Sequence, residues 1–434
     1  MVRPWQNRNP ILAINLRTVP AAVLALAVAF GLTAALTPAA QAQTYTVIHN
    51  FTGGLDGATP MAGLTADRAG NLYGTAAYGG NSGDNCGASG CGAVFRLANR
   101  NSGWVLTPLY SFLGGDDGAN PEANVVIGPD GTLYSSTYLG GGPCNGDGCG
   151  TVFNLKPTAS ACKAALCPWS ENVIYRFTGL DGIGPVGDVI FDQTGNLYGA
   201  TTTGGLRNGG TVFELSPSGG GWSGKIIQVS YGYPGSGVIF GSSGNLYGTA
   251  FVGGNGQGSV YQLTPSEFGW ISSDLYDFTN QSDGAYPWGG LIFDPAGNLY
   301  GTTTAGGSGN GGTVFQMTPS DGSWTLTTLH SFSGTPDGRI VVGPVGSLVM
   351  DNAGAIYGTA FADGANGYGS VFKLTLSNGS WIYTSLHDFT GGSDGGYPYS
   401  NLVFDASGNL YGTASVGGAG PCTNGCGVIF EITP

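Results

Sequence analysis

The side chains able to do chemistry are few, and most of them repeat. Three histidines, His49, His330 and His387, each stand two residues before a phenylalanine. They therefore occupy one position of a repeated element and do not gather at one centre. A Ser-His-Asp or Cys-His mechanism has almost no material here. Eight cysteines fall in four close pairs: Cys86 with Cys91, Cys144 with Cys149, Cys162 with Cys167, and Cys422 with Cys426. In a chain that opens with a secretory leader, an even count at local spacing reads as disulfides. Each would close a small loop and stabilise by about 2 kcal/mol. A zinc knuckle would want partner ligands, and the histidines lie far from every pair.

Carboxylates are the remaining candidates. Asp-Gly steps recur at Asp56, Asp117, Asp181, Asp283, Asp337 and Asp394, and all but Asp337 precede a proline by four residues. Ahead of an obligatory glycine such an Asp serves a turn. A ring of them could instead draw in calcium, the one cofactor the sequence suggests, although no dense Asp-x-Asp-x-Asp ligand loop is present. Asp pairs can do acid–base work on glycosides, yet every promising Asp is a repeat element, so no catalytic residue is singled out. Aromatic residues make two of these loops distinctive: Tyr286 and Trp288 follow Asp283, and Tyr397 and Tyr399 follow Asp394, while the shortened fourth loop keeps Tyr233. Flat faces with polar tips suit sugar rings or a protein partner. These five aromatics, with Asp283 and Asp394, are the candidate ligand-binding residues.

The elements that position them are spelled out seven times. A phrase of the form Gly-Asn-Leu-Tyr-Gly places tyrosines at Tyr73, Tyr134, Tyr198, Tyr247, Tyr300, Tyr357 and Tyr411, a period near 56 residues. Each period holds four short runs of β-branched and aromatic residues, separated by Gly, Asn, Asp and Pro. Such runs read as strands, here A to D, and no stretch beyond the leader has a helical period. Four-stranded units repeated radially make an all-β, seven-bladed β-propeller. Tyr45–Phe51 matches strand D and the C-terminal Ile429–Ile432 matches strand C. The N-terminal strand is thus expected to complete the last blade and leave no open sheet edge. A linear β-solenoid offers no reason for that complementary phase.

The ends and the charge bound the setting. Arg3, Arg8 and Arg17, the apolar run 21–36 and the small residues Ala40 and Ala42 read as a signal peptide over residues 1–42, cleaved near Ala42, with residues 43–434 as one domain. The apolar run is short for a membrane span. Removing three arginines takes the net charge from −13 to −16. That balance argues against nucleic acid and anionic membranes as partners. The acids are 21 Asp and five Glu, a skew suited to turns. A secreted or periplasmic monomer without membrane insertion is expected.

Units such as GNLYGTTTAGGSGNGGTVFQMTP resemble the GloVer-type tandem-repeat proteins, over essentially all of residues 44–434. The resemblance implies a bacterial extracellular protein and supplies no catalytic residues. No sorting tail follows Pro434, so release is expected over covalent anchoring. The sequence thus reads as a non-catalytic propeller that recognises an extracellular glycan or protein through the rim of D–A and B–C loops. Two alternatives remain open: a metal-assisted polysaccharide lyase or hydrolase on the same scaffold, and a structural matrix protein with no discrete ligand.

Overall fold

The phrase Asp-x-x-Gly-Asn-Leu-Tyr-Gly builds the hairpin between strands A and B. In blade one the Asp67 carboxylate accepts hydrogen bonds from the backbone N–H groups of Ala69 and Asn71, the Asn71 amide and the Tyr73 hydroxyl. Gly70 supplies the positive φ, 78°, that the turn requires. Asp192, Asp294 and Asp405 repeat the arrangement. A computed structural model describes residues 43–83, 85–100, 103–142, 144, 146–157, 169–229, 232–333 and 343–433 of this hairpin-built chain. The expected signal peptide, residues 1–42, and Asp337 lie outside the described residues. So do Cys162 and Cys167, the pair expected to form a fourth disulfide.

Residues 44–433 form one unit of seven antiparallel four-stranded sheets, with no helix among the described residues. Blade five is typical: strand A is Ile292–Phe293, B is Leu299–Thr303, C is Asn310–Ser320 and D is Ser323–Ser333. Blade three differs in its strand A, which runs over Ile183–Phe191. Blade seven is completed from the N-terminus, where Thr44–Asn50 pairs with Val428–Thr433, Thr44 opposite Thr433 and Val47 opposite Phe430. The ring closes as the phase of the repeats requires.

Between blades the decisive contact is aromatic. The strand-D phenylalanine of one blade meets the strand-C phenylalanine of the next edge-to-face, as in Phe51–Phe95, Phe112–Phe153, Phe278–Phe315 and Phe389–Phe430, with centroids 5.1–5.4 Å apart. All are essentially unexposed. In most blades the ring tip of the strand-C phenylalanine lies over the glycine of the phrase: a Cβ on Gly301 would stand 2.5 Å from Phe315 Cζ, and one on Gly412 2.5 Å from Phe430 Cζ, while blade two carries Ser135 opposite Phe153. The tyrosine of the phrase faces the following blade; Tyr247 packs edge-to-face on Phe293 and Trp324. Strand-B threonines add a latch, Thr75 donating to Ala123 O, Thr359 to Ser400 O and Thr413 to Ala62 O at 3.1, 2.7 and 2.8 Å. The last of these crosses the closure from blade seven to blade one.

Two outcomes follow from this packing. Gly301→Ala overpacks the wedge and is expected to cost about 1–3 kcal/mol, read as a lower denaturation midpoint. The hairpin carboxylates set an acid limit. Partial burial opposes ionisation of Asp67, Asp192 and Asp294, but their amide and N–H donors prevail and hold each below the usual carboxylate range. Their stabilisation is therefore complete above a pH of about 4 and lost as the pH falls below it. Acid titration of the folded fraction checks this.

Candidate functional site

Where a D–A loop keeps its Asp among the described residues, that Asp shapes the loop before it offers anything to a ligand. Asp283, 8% exposed, accepts hydrogen bonds from the N–H and hydroxyl of Thr279, each at 2.7 Å, from Gln281 N at 3.1 Å and from the Tyr276 hydroxyl at 3.2 Å. Asp394 is held likewise by Thr390 and by His387 Nε2 at 3.1 Å. His49 makes the same contact to Asp56 at 3.2 Å, and Tyr110 and Tyr175 to Asp117 and Asp181 at 2.9 and 2.6 Å. The strand-D His/Tyr position thus braces the loop.

The residue before the rim proline takes the left-handed conformation in six blades, at Thr59, Asn120, Gly184, Tyr233, Tyr286 and Tyr397. Its N–H bonds to the preceding blade's B–C loop. For Thr59, Asn120 and Gly184 the acceptors are the carbonyls of Cys426, Cys91 and Cys149, at 2.8, 2.9 and 3.0 Å. These belong to the disulfides Cys422–Cys426, Cys86–Cys91 and Cys144–Cys149. Three of the four expected cysteine pairs are thus bonded, and the fourth, Cys162 with Cys167, lies outside the described residues. One arc of the rim, blades seven, one and two, is therefore fixed covalently where it grips its neighbour. A protein so built suits an oxidising compartment.

Beyond the proline the chain turns into the central channel, where all seven blades enclose a cavity of about 480 Å³. The position after the proline faces its mouth. Met61, Val186 and Val345 are apolar there and Gly235 is bare, while Trp288 and Tyr399 present rings and Glu122 a carboxyl. Two residues further on, a polar string spans the floor. The Asn124 side-chain amide donates to Asp188 Oδ2 at 2.9 Å and to Asn401 Oδ1 at 2.8 Å, and its backbone N–H to Asp188 Oδ1 at 3.1 Å. Blades three, two and seven are so joined, although blade one lies between the last two. Gly63 makes this possible, since a Cβ there would stand 2.1 Å from Asn401 Oδ1.

Burial pushes the Glu122 carboxyl up to about 7, and among the described residues nothing donates a hydrogen bond to it. Burial raises Asp188 as well, against the pull of its Asn124 donors. Tyr399 is raised first by burial and then by the charge of Glu122. Among the described residues no three His, Cys, Asp or Glu side chains group as a metal site.

Of the residues singled out from sequence, Trp288, 38% exposed, and Tyr399 line the cavity. Tyr286 and Tyr397 stand before their prolines, against Phe251 at 5.1 Å and Phe361 at 4.8 Å, and Tyr233 is exposed on the rim. Asp283 and Asp394 are engaged in their loops. Sequence reasoning held that every promising acid repeats; Glu122 and Asp188 correct it. Each is the single charged side chain at its position in the seven loops, a signal visible once the residues after the rim prolines are aligned.

The sequence model of the Gloeobacter/Verrucomicrobia repeat matches residues 29–227 and 225–381. The chain belongs to that family. No curated protein matches this repeat protein. Among solved structures it is similar to the extracellular domain of a proposed one-component system from B. thetaiotaomicron, with 10% identity, a TM-score of 0.51, and coverage of 89% of this chain and 40% of that one. It is also similar to a gluconolactonase from Xanthomonas campestris, with 16% identity, a TM-score of 0.40, and coverage of 70% and 82%. The first of these likenesses shows the fold alone.

Glu122 prefers its protonated form in the fold, so stability should fall as the pH rises from about 4.5 to 7, by at most about 3 kcal/mol. Glu122→Gln removes that share of the slope in denaturant titrations. Glu171, raised to about 7 by burial and the charge of Asp117, keeps its own share.

Proposed function

We propose that the protein is a secreted, non-catalytic binding propeller that holds a saccharide at the mouth of its central channel. The observation that carries this reading is the cavity itself. Its volume falls in the range of roughly 300–1,000 Å³ usual for small-ligand sites, with apolar walls and a few convergent polar groups. Trp288 and Tyr399 offer ring faces to the apolar side of a sugar, and Glu122, Asn124 and Asp188 offer polar groups to hydroxyls. The wall is preorganised by the braced D–A loops, so little ordering entropy is spent on binding. The disulfide-stapled rim supports an extracellular setting.

A second reading rests on Glu122. A carboxyl held near 7 is half-protonated at neutral pH, the state a general acid needs, which favours glycoside hydrolysis or elimination on the same scaffold.

The two readings separate in one assay of binding and product release across a polysaccharide array. Trp288→Ala is expected to weaken saccharide binding at least about ten-fold, the scale of a lost aromatic contact, with little change in melting temperature because the ring is partly exposed. Unchanged affinity would remove the channel mouth from the reading. Products formed by the wild type and lost in Glu122→Gln would establish the enzyme.

A further inference from the structure

We propose that this mouth selects a saccharide bearing an ammonium group, an amino sugar, over neutral and carboxylate-bearing sugars. The inference rests on the saccharide reading and deepens it.

Charge is the first ground. Two carboxyls, Glu122 and Asp188, line the cavity, and among the described residues no Lys, Arg or His does. The chain as a whole is acidic, with a net charge of −13. Its field inside a narrow, low-dielectric channel concentrates cations and repels anions. Among the described residues both acids also lack a cationic partner. Among the described residues the oxygens of Asp188 are met only by the neutral donors of Asn124, and Glu122 accepts no hydrogen bond. A buried carboxyl without a counter-charge is costly, and a bound ammonium would supply what both lack.

The aromatic residues are the second ground. Trp288 and Tyr399 enter the same cavity from blades five and seven, and the charge of Glu122 is felt at the Tyr399 hydroxyl. A carboxylate beside aromatic faces is the arrangement that recognises ammonium, by ion pairing and cation–π attraction. An ammonium placed there favours the ionised form of both acids, whereas a uronate opposes their ionisation and meets no cation among the described residues.

Calorimetry on the intact protein at pH 6.5 with four tetrasaccharides of matched length tests this: β-1,4-glucosamine, its N-acetylated form, cellotetraose and tetragalacturonate, with tetramethylammonium as a sugar-free probe. The expected result is glucosamine tetramer bound at least ten-fold tighter than cellotetraose and no binding of tetragalacturonate. Glu122→Gln should erase the preference of the amine tetramer over the neutral ones. Equal affinity for the amine and neutral tetramers, or binding of the uronate, overturns the ammonium inference and leaves the saccharide reading standing. Tetramethylammonium binding that is lost in Glu122→Gln, with no tetramer bound, would overturn the saccharide reading and keep the charge selectivity. No binding of any probe overturns both.

Discussion

The edge of one phenylalanine against the face of another, repeated from blade to blade, is the contact on which the ring depends. Sheets twist, and neighbouring blades must fill the wedge between them at interior density. A strand-D phenylalanine and a strand-C phenylalanine do so together, as in Phe332 and Phe372 at 5.3 Å. The glycine of Leu-Tyr-Gly follows from this. It sits in a regular strand where the ring tip occupies the space of a Cβ, as at Gly358, where Phe372 Cζ would be 2.7 Å away; blade two instead carries Ser135 opposite Phe153. The junction of blades three and four departs from the rule: strand C carries the buried Tyr261, and the sequence has Ser230 at the preceding phenylalanine position.

Around that frame the rim divides into two kinds of arc. Where the B–C loops of blades seven, one and two carry disulfides, the cysteine backbone itself receives the next blade's loop. Elsewhere the grip passes to ordinary loop carbonyls, and aromatic clusters thicken the rim, Phe251 with Tyr286 and Trp288, and Phe361 with Tyr397 and Tyr399. Small closed loops add modest stability through chain entropy. Their larger service here is to hold the acceptor that orients a left-handed residue and its proline. The channel wall thus inherits rigidity from groups that never face it.

Inside the channel the repeat is used differently. Seven equivalent positions converge on one axis, so a single substitution in a single blade changes the chemistry of the shared space. Glu122 and Asp188 do this with charge, Trp288 and Tyr399 with ring faces, and Gly63 by leaving room for Asn401 to reach Asn124. A symmetric scaffold has become an asymmetric site. The acids that recur from blade to blade, by contrast, are spent on turns, which is why their abundance says so little about binding.

Much of this was legible in the residues. The period, the four strand runs and the complementary ends fixed the blade count, the closure and the face on which the D–A loops lie. Those are consequences of local propensity and pattern, which sequence expresses directly. The candidate residues divided. Trp288 and Tyr399 lie at the channel, but Asp283 and Asp394 are claimed by their loops, because hydrogen-bond donors from Thr279, Tyr276, Thr390 and His387 meet them only in three dimensions. Glu122 and Asp188 stand 66 residues apart and belong to different blades. Only the closing of the ring brings them to one cavity and strips them of water. Sequence by itself determined the architecture, since each unit carries the same instructions; the tertiary structure decided the chemistry, since burial and convergence on the axis are properties of no single unit.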